Sequence, residues 1–249
     1  MRILLTIEYN GKRYEGWQSQ PSGNTVQQTV EKAVFALTGE EVDLVASGRT
    51  DAGVHAEGQK AHFDTNTTIP AEKFYKALNP LLPDDIKIIS SQKVSDDFHA
   101  RYGAKRKTYV YSVYVSDVER PLKEDFAVRI DKYLDDGKMQ AAMTEFVGKH
   151  DFKCCLSSGS QVKDTQREIY YFNLIKTADG YKFEVCGNGF LYNMVRIMVG
   201  TVIKAGESKI AAEDIKNALL SGDRNALGKT MPAKGLCLKS VEYSDEKRL

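Results

Sequence analysis

Ile3-Leu4-Leu5-Thr6-Ile7-Glu8-Tyr9-Asn10-Gly11 is the stretch from which the fold is read. Ile3, Leu5, Ile7 and Tyr9 alternate with Leu4, Thr6 and Glu8, the period of two by which a strand separates its faces, and Asn10-Gly11 supplies a turn. Downstream, Thr25 is placed to cap a helix running to about Leu37. Val26, Val30, Ala33, Val34 and Leu37 fall on one face of it, and Gly39 is the stop. A short strand from Glu41 to Ala46, a polar loop, a strand from about Val54 to Asp64, a helix from Pro70 to about Leu78 and a strand from Ile86 to Val94 complete a β-α-β-β-α-β order.

That order is the ferredoxin-like, split βαβ arrangement, with helices on one face of an antiparallel sheet. The second half repeats it in decorated form. The pattern predicts a strand from Thr108 to Val115, a helix from about Leu134 to Phe146, and strands Glu168 to Lys176 and Tyr181 to Gly187. A helix from Phe190 to about Lys204, another from Ala211, and a strand from Leu236 to Tyr243 follow. No sequence identity links the halves; only the order of elements does. The fold expected is α+β, two ferredoxin-like-derived halves whose antiparallel sheets flank a central catalytic cleft, with residues 1–100 and 101–249 as the halves and a soft boundary near Arg101.

The chain has 249 residues, 42% of them hydrophobic and 28% charged, an ordinary globular balance for one large or two modest domains. Lys+Arg 35 against Asp+Glu 34 gives a net charge of +1, which excludes a polycation that coats nucleic acid through sheer charge. The charge is unevenly placed: 10 basic and 14 acidic residues in 1–100, and 25 against 20 in 101–249. No apolar run approaches a membrane span, and MRILLTIEYN carries charge too early for a signal peptide, so a cytoplasmic protein is expected. Cys154, Cys155, Cys186 and Cys237 form no C-x-x-C pair, which points to reduced thiols and no structural zinc.

The densest chemistry lies at Gly48-Arg49-Thr50-Asp51-Ala52-Gly53-Val54-His55-Ala56. Glycines flanking a short polar loop between two strands allow a side chain to be aimed outward, and Asp51 is that side chain. Arg49, two residues away, favours its ionised form. Composition alone leaves a plain β-turn with an Asx hydrogen bond as an equal reading. His55 lacks companions at metal-ligand spacing and is read as structural. The run Arg101-Tyr102-Gly103-Ala104-Lys105-Arg106-Lys107 is by charge alone a solvated loop. Tyr109 and Tyr111 are by themselves ordinary sheet tyrosines, and Arg196 is a solvated or carboxylate-seeking residue on an apolar helix.

GRTDAGVHA resembles the signature of the tRNA pseudouridine synthase A family. Further stretches accompany it in family order: GWQSQ at 16–20 with TVQ at 25–27, LNPLLPDDI at 78–86, DFHARYGAKRKTYVY at 97–111, GKHDF at 148–152, GFLYNMVRIMVG at 189–200 and MPAKGLCL at 231–238. The resemblance spans essentially the whole chain. It implies an enzyme that isomerises uridine to pseudouridine in tRNA with no cofactor and no metal, at positions 38, 39 and 40 of the anticodon stem-loop, working as a homodimer. By the same resemblance Asp51 is the catalytic nucleophile or base, Tyr109 stacks on the target uracil, and Arg196 pairs with the nucleophile. Tyr111 supports Tyr109 from the same strand face. Arg101, Lys105, Arg106 and Lys107 then meet phosphates beside the inserted nucleotide, and Arg49 also counts among the substrate-binding residues. Gln18 and Gln20 fall near family cleft positions but read equally as surface amides.

The chain departs from the family's usual pattern at Asn193, where a histidine is frequent, at Cys155, where an aromatic is, and at Gln166. These departures concern which uridines are accepted rather than the reaction. Two other readings compete: a catalytically silent RNA-binding module on the same scaffold, which intact Asp51, Tyr109 and Arg196 argue against, and a carboxylate glycosidase, which lacks a second acid near Asp51.

Overall fold

The structure, a computed structural model, describes residues 1–157, 159 and 162–243. In chain order the regular elements are β1 (Arg2–Tyr9), α1 (Val26–Thr38), β2 (Val45–Ala46), β3 (His55–Asp64), α2 (Phe74–Leu78), β4 (Ile86–Val94), β5 (Arg106–Val115), β6 (Val128–Ile130), α3 (Asp136–Thr144), β7 (Gly148–Asp151), β8 (Gln166–Thr177), β9 (Gly180–Gly187), α4 (Met194–Gly206), α5 (Ala212–Ser221) and β10 (Leu236–Glu242). The chain is a mixed α/β protein. It forms two compact units, Met1–Lys105 with the described segment Cys237–Tyr243, and Arg106–Leu236.

In the first unit β1 runs antiparallel to β3 on one side and to β4 on the other. Ile3, Leu5 and Ile7 are fully buried, as the alternation predicts, and Leu4 is buried as well. α1 begins where the sequence places it: Thr25 Oγ1 accepts from the Gln28 backbone N–H, and Gly39 ends the helix at φ +73. Val26, Val30, Ala33 and Val34 are its buried face. The far edge of β3 is covered at one end by β2 and at the other by β10, which pairs in parallel through Cys237 with His55 and Leu238 with Ala56.

The second unit is built on the order β5-β9-β8-β7, antiparallel throughout, with β6 running parallel to the far end of β5. Tyr109 lies opposite Val185 and Tyr111 opposite Phe183. α4 is the most buried helix of this unit, with Met194, Ile197, Met198, Val199 and Val202 inaccessible to solvent.

Several expectations change. The C-terminal strand, placed in the second half by its order in the chain, groups with the first unit, where it pairs with β3; residues 244–249 of that half lie outside the described residues. The parallel β3–β10 and β5–β6 pairs make the strand pattern mixed rather than purely antiparallel. The strand expected from Glu41 shrinks to Val45–Ala46, since the Leu44 N–H is taken by the Glu31 carboxylate instead of a ladder. α2 is five residues long, flanked by 3-10 turns at Ala71–Lys73 and Asn79–Leu81 next to Pro70 and Pro80. The helix expected from Phe190 starts at Met194, because Asn193 adopts φ +61 and interrupts it.

Candidate active site

In the first unit the loop from Ser47 to Val54 is anchored at Ser47, Gly48, Thr50, Gly53 and Val54. Ser47 Oγ donates to Gln59 Oε1 (2.7 Å), and Gln59 Nε2 donates to the Gly48 carbonyl (2.9 Å), with both side chains fully buried. Thr50 Oγ1 and the Tyr9 hydroxyl share a 2.8 Å hydrogen bond, and the Thr50 carbonyl accepts from the Trp17 N–H. Burial pushes the Tyr9 hydroxyl well above its ordinary range, so it stays protonated. The Gly53 N–H donates to Tyr14, and the Val54 N–H turns back onto the Asp51 carbonyl. Gly16 lies against this loop at φ +92; a Cβ there would sit 2.6 Å from the Thr50 carbonyl oxygen. A loop held at both ends and along its back presents the half-buried Asp51, with Arg49 exposed beside it in sequence. His55 accepts the Gly11 N–H at Nδ1 (3.1 Å), which fixes the strand that follows the loop.

Lys105 is exposed, and its backbone N–H donates to Glu242 in the same unit. Gln18 is exposed, and Gln20 Nε2 donates to the Glu15 carbonyl.

In the second unit Tyr109 stands on β5 with 8% of its surface exposed, its ring edge-to-face with Phe190 at 5.1 Å between centroids. Tyr111 shares its strand face and is fully buried; its hydroxyl donates to the Pro232 carbonyl (2.7 Å). The space for that ring exists because residue 235 is glycine: a Cβ there would lie 2.6 Å from Tyr111 Cζ. Burial raises the Tyr111 hydroxyl far above its usual value, partly offset by the Arg196 charge, so it acts as a donor.

Arg196, in the first turn of α4, is half-buried and held twice within this unit. Its Nε donates to the Met231 carbonyl (2.7 Å) and its Nη1 to Asn193 Oδ1, while the Met231 N–H returns to the Arg196 carbonyl. Asn193 in turn donates from Nδ2 to Ser157 Oγ (2.9 Å). Asn is one of the few residues other than glycine that tolerates a positive φ, so the residue that ends the turn before α4 can also hold the arginine. Arg106 and Lys107 open β5, half-buried, and the Arg106 guanidinium lies over the Tyr170 ring at 4.5 Å.

Within a unit, therefore, the structure brings Tyr109 to Phe190, and Arg196 to Asn193 and Met231. Phe190, Met231 and the buried Gln59 were not singled out by the sequence. Phe190 was absorbed into an expected helix, Met231 acts through its backbone, and Gln59 sits unmarked in an alternating strand. Cys154 and Cys155 are buried, with sulfurs 3.9 Å apart. Burial pushes the Cys155 thiol up, and the Cys237 thiol up to about 12. Gln166 is exposed at the start of β8. Among the described residues no three His, Cys, Asp or Glu side chains gather as a metal site, and no helix is long and apolar enough to cross a membrane.

Residues 5–103 and 142–244 match the family described as tRNA pseudouridine synthase. The chain belongs to this family. Curated relatives named tRNA pseudouridine synthase A are similar over nearly their whole length. The protein from Acetivibrio thermocellus is 48% identical over 241 residues, 97% of this chain and 99% of that one. That from Ruminiclostridium cellulolyticum is 45% identical over 243 residues, again 97% and 99%. A Clostridium perfringens relative named tRNA pseudouridine synthase A 2 is 46% identical over 241 residues, with the same coverage. In this pseudouridine synthase the GRTDAGVHA stretch is the anchored loop and the start of β3, and the MVR stretch is the first turn of α4.

Proposed function

We propose that this pseudouridine synthase isomerises uridine at positions 38, 39 and 40 of the tRNA anticodon stem-loop, with Asp51, Tyr109 and Arg196 carrying the reaction. The reaction breaks the C1′–N1 bond, turns the uracil and joins C1′ to C5; the C5 proton is then removed and N1 ends protonated. It is an isomerisation and consumes no second substrate. Asp51 attacks the ribose or takes its C2′ proton; a carboxylate ionised at neutral pH suits either step. Tyr109 offers its ring to the uracil and its hydroxyl to the C5 proton. Arg196 holds the carboxylate ionised and in one rotamer, a task for which a guanidinium fixed at Nε and one Nη is prepared. The nucleotide is extruded from its stem before reaction, at a cost of a few kcal/mol.

The observation that carries this reading is the family match running through both units, with Asp51 in a loop held at Gly48 and Thr50 before it and at Gly53 and Val54 after it. Arg49, Lys105, Arg106 and Lys107 bind the RNA backbone. The wider reading includes two ferredoxin-like-derived halves, the first of them completed by β10. It also includes a homodimer in the cytoplasm, since a 27.9 kDa subunit of net charge +1 has little basic surface to offer a tRNA alone.

The test is a pseudouridine map of bulk tRNA incubated with the purified protein and with Asp51→Asn. The wild type is expected to modify positions 38 to 40. The variant is expected to lose the activity and keep tRNA affinity within several fold. An active Asp51→Asn protein overturns the assignment, and a wild type that binds tRNA without modifying it returns the reading to a silent RNA-binding module.

A further inference from the structure

Tyr102 is the most exposed aromatic ring of the first unit, with 78% of its surface open, and it sits inside the basic run that leads towards Lys105. An isolated exposed tyrosine needs no explanation. This one differs in how it is mounted. Its ring lies against His99 at 4.3 Å between centroids and 35° between planes, and His99 Nδ1 accepts the backbone N–H groups of both Arg101 (3.2 Å) and Tyr102 (3.3 Å). The His99 ring meets His62 edge-on at 5.1 Å. His62 is buried, and its Nδ1 accepts the Ala100 N–H (3.2 Å).

The loop is tied from its other sides too. Arg2 donates to the Phe98 carbonyl (2.7 Å), the Tyr243 hydroxyl donates to the Ala100 carbonyl (2.9 Å), and the Gly103 N–H closes onto the His99 carbonyl (2.8 Å). A row of rings thus runs from the interior to solvent and ends on an open face. The Arg101 guanidinium lies over the ring, 5.9 Å from its centre. A ring held rigid loses no conformational entropy when something stacks on it.

We propose that Tyr102 is a stacking platform for an unpaired base of the bound tRNA, with Arg101 and Lys105 meeting the phosphates of the same strand. The ligand chemistry is that of single-stranded RNA: an aromatic face that accepts any base, rimmed by cations that follow the backbone. The base it takes is not the one that reacts, which Tyr109 receives. It rests on tRNA being the substrate and extends the contact to a nucleotide that is not modified.

The experiment measures Kd of the intact protein for an unmodified tRNA transcript across a salt series, for the wild type, Tyr102→Ala and Tyr102→Phe. Stacking is worth about 1–3 kcal/mol per base, which is roughly 5- to 150-fold in Kd. Tyr102→Ala is expected to weaken binding within that range and Tyr102→Phe to stay within twofold. The slope of log Kd against log salt is expected to be the same in all three, because no cation is removed. Binding of Tyr102→Ala at the wild-type level, equal losses for Ala and Phe, or a slope reduced by about one overturns the proposal. If the wild type modifies tRNA and Tyr102→Ala binds as it does, this inference fails alone. If the wild type neither binds nor modifies tRNA, the functional reading fails and takes this one with it.

Discussion

Tyr111→Phe removes one oxygen atom and tests how Arg196 is held. The hydroxyl donates to the Pro232 carbonyl at 2.7 Å, and the preceding residue, Met231, accepts the Arg196 Nε at 2.7 Å. The phenylalanine ring keeps the packing against Gly235, so the loss is confined to the hydrogen bond. A net hydrogen bond is worth about 1 kcal/mol, and leaving a shielded acceptor without its donor adds to that, for a total of about 1–2 kcal/mol. In a chain of this size that corresponds to a fall in Tm of roughly 2–6 °C.

Catalysis should follow through Arg196. With the 231–232 backbone less restrained, kcat for pseudouridine formation is expected to drop about three- to tenfold while KM for tRNA is unchanged, since about 1.4 kcal/mol is a factor of ten. The folded state holds the Tyr111 hydroxyl above its unfolded value, so its contribution is complete below about pH 10 and is lost only as pH rises beyond that. The difference between wild type and variant should therefore be constant from pH 6 to 9. Urea unfolding and single-turnover kinetics measure the two effects. Equal stability refutes the hydrogen-bond argument, and lost stability with unchanged kcat refutes the link to Arg196.

Replacing Lys105, Arg106 and Lys107 by Ala together should weaken tRNA binding and flatten its salt dependence by up to about three in slope, with Arg106 contributing least if its Tyr170 contact persists in the complex; an unchanged slope returns the run to a solvated surface. His62 is held below its ordinary value by burial first and then by the Arg2 charge, with His99 adding and Asp64 opposing. The unfolded chain therefore binds the proton first, and stability should be flat above about pH 6.5 and decline as pH falls below it. His62→Asn, whose Oδ1 can accept the Ala100 N–H as Nδ1 does, should remove that decline in urea midpoints between pH 6.5 and 5. A decline of the same size in the variant sinks the assignment.

What the sequence made legible were features whose cause is local. β1 follows from strict alternation, and α1 from Thr25 and Gly39 at its ends; β4 was placed to the residue. The features it hid depend on partners distant in the chain. β7, the sequence Gly148-Lys149-His150-Asp151, has no apolar period and exists because β8 lies beside it. Phe190 belongs by periodicity to α4, yet the positive φ of Asn193 detaches it, and it packs on Tyr109 instead. Asp51, Tyr109 and Arg196 are proposed as the reacting groups on the family resemblance alone, since an aspartate in a turn, a tyrosine in a sheet and an arginine on a helix are each ordinary. The supports of the site were less visible still: two of the groups that hold Arg196 and Tyr111 are backbone carbonyls of residues 231 and 232, which carry no side-chain signature.

The parallel pairing of β10 with β3 has a consequence for synthesis. His55 and Ala56 leave the ribosome long before Cys237 and Leu238, with the whole of Arg106–Leu236 translated in between. At about 5–20 residues per second, that strand edge waits on the order of 10 s for its partner. The unit that carries the Asp51 loop is therefore the last to be completed, although it is the first to be made.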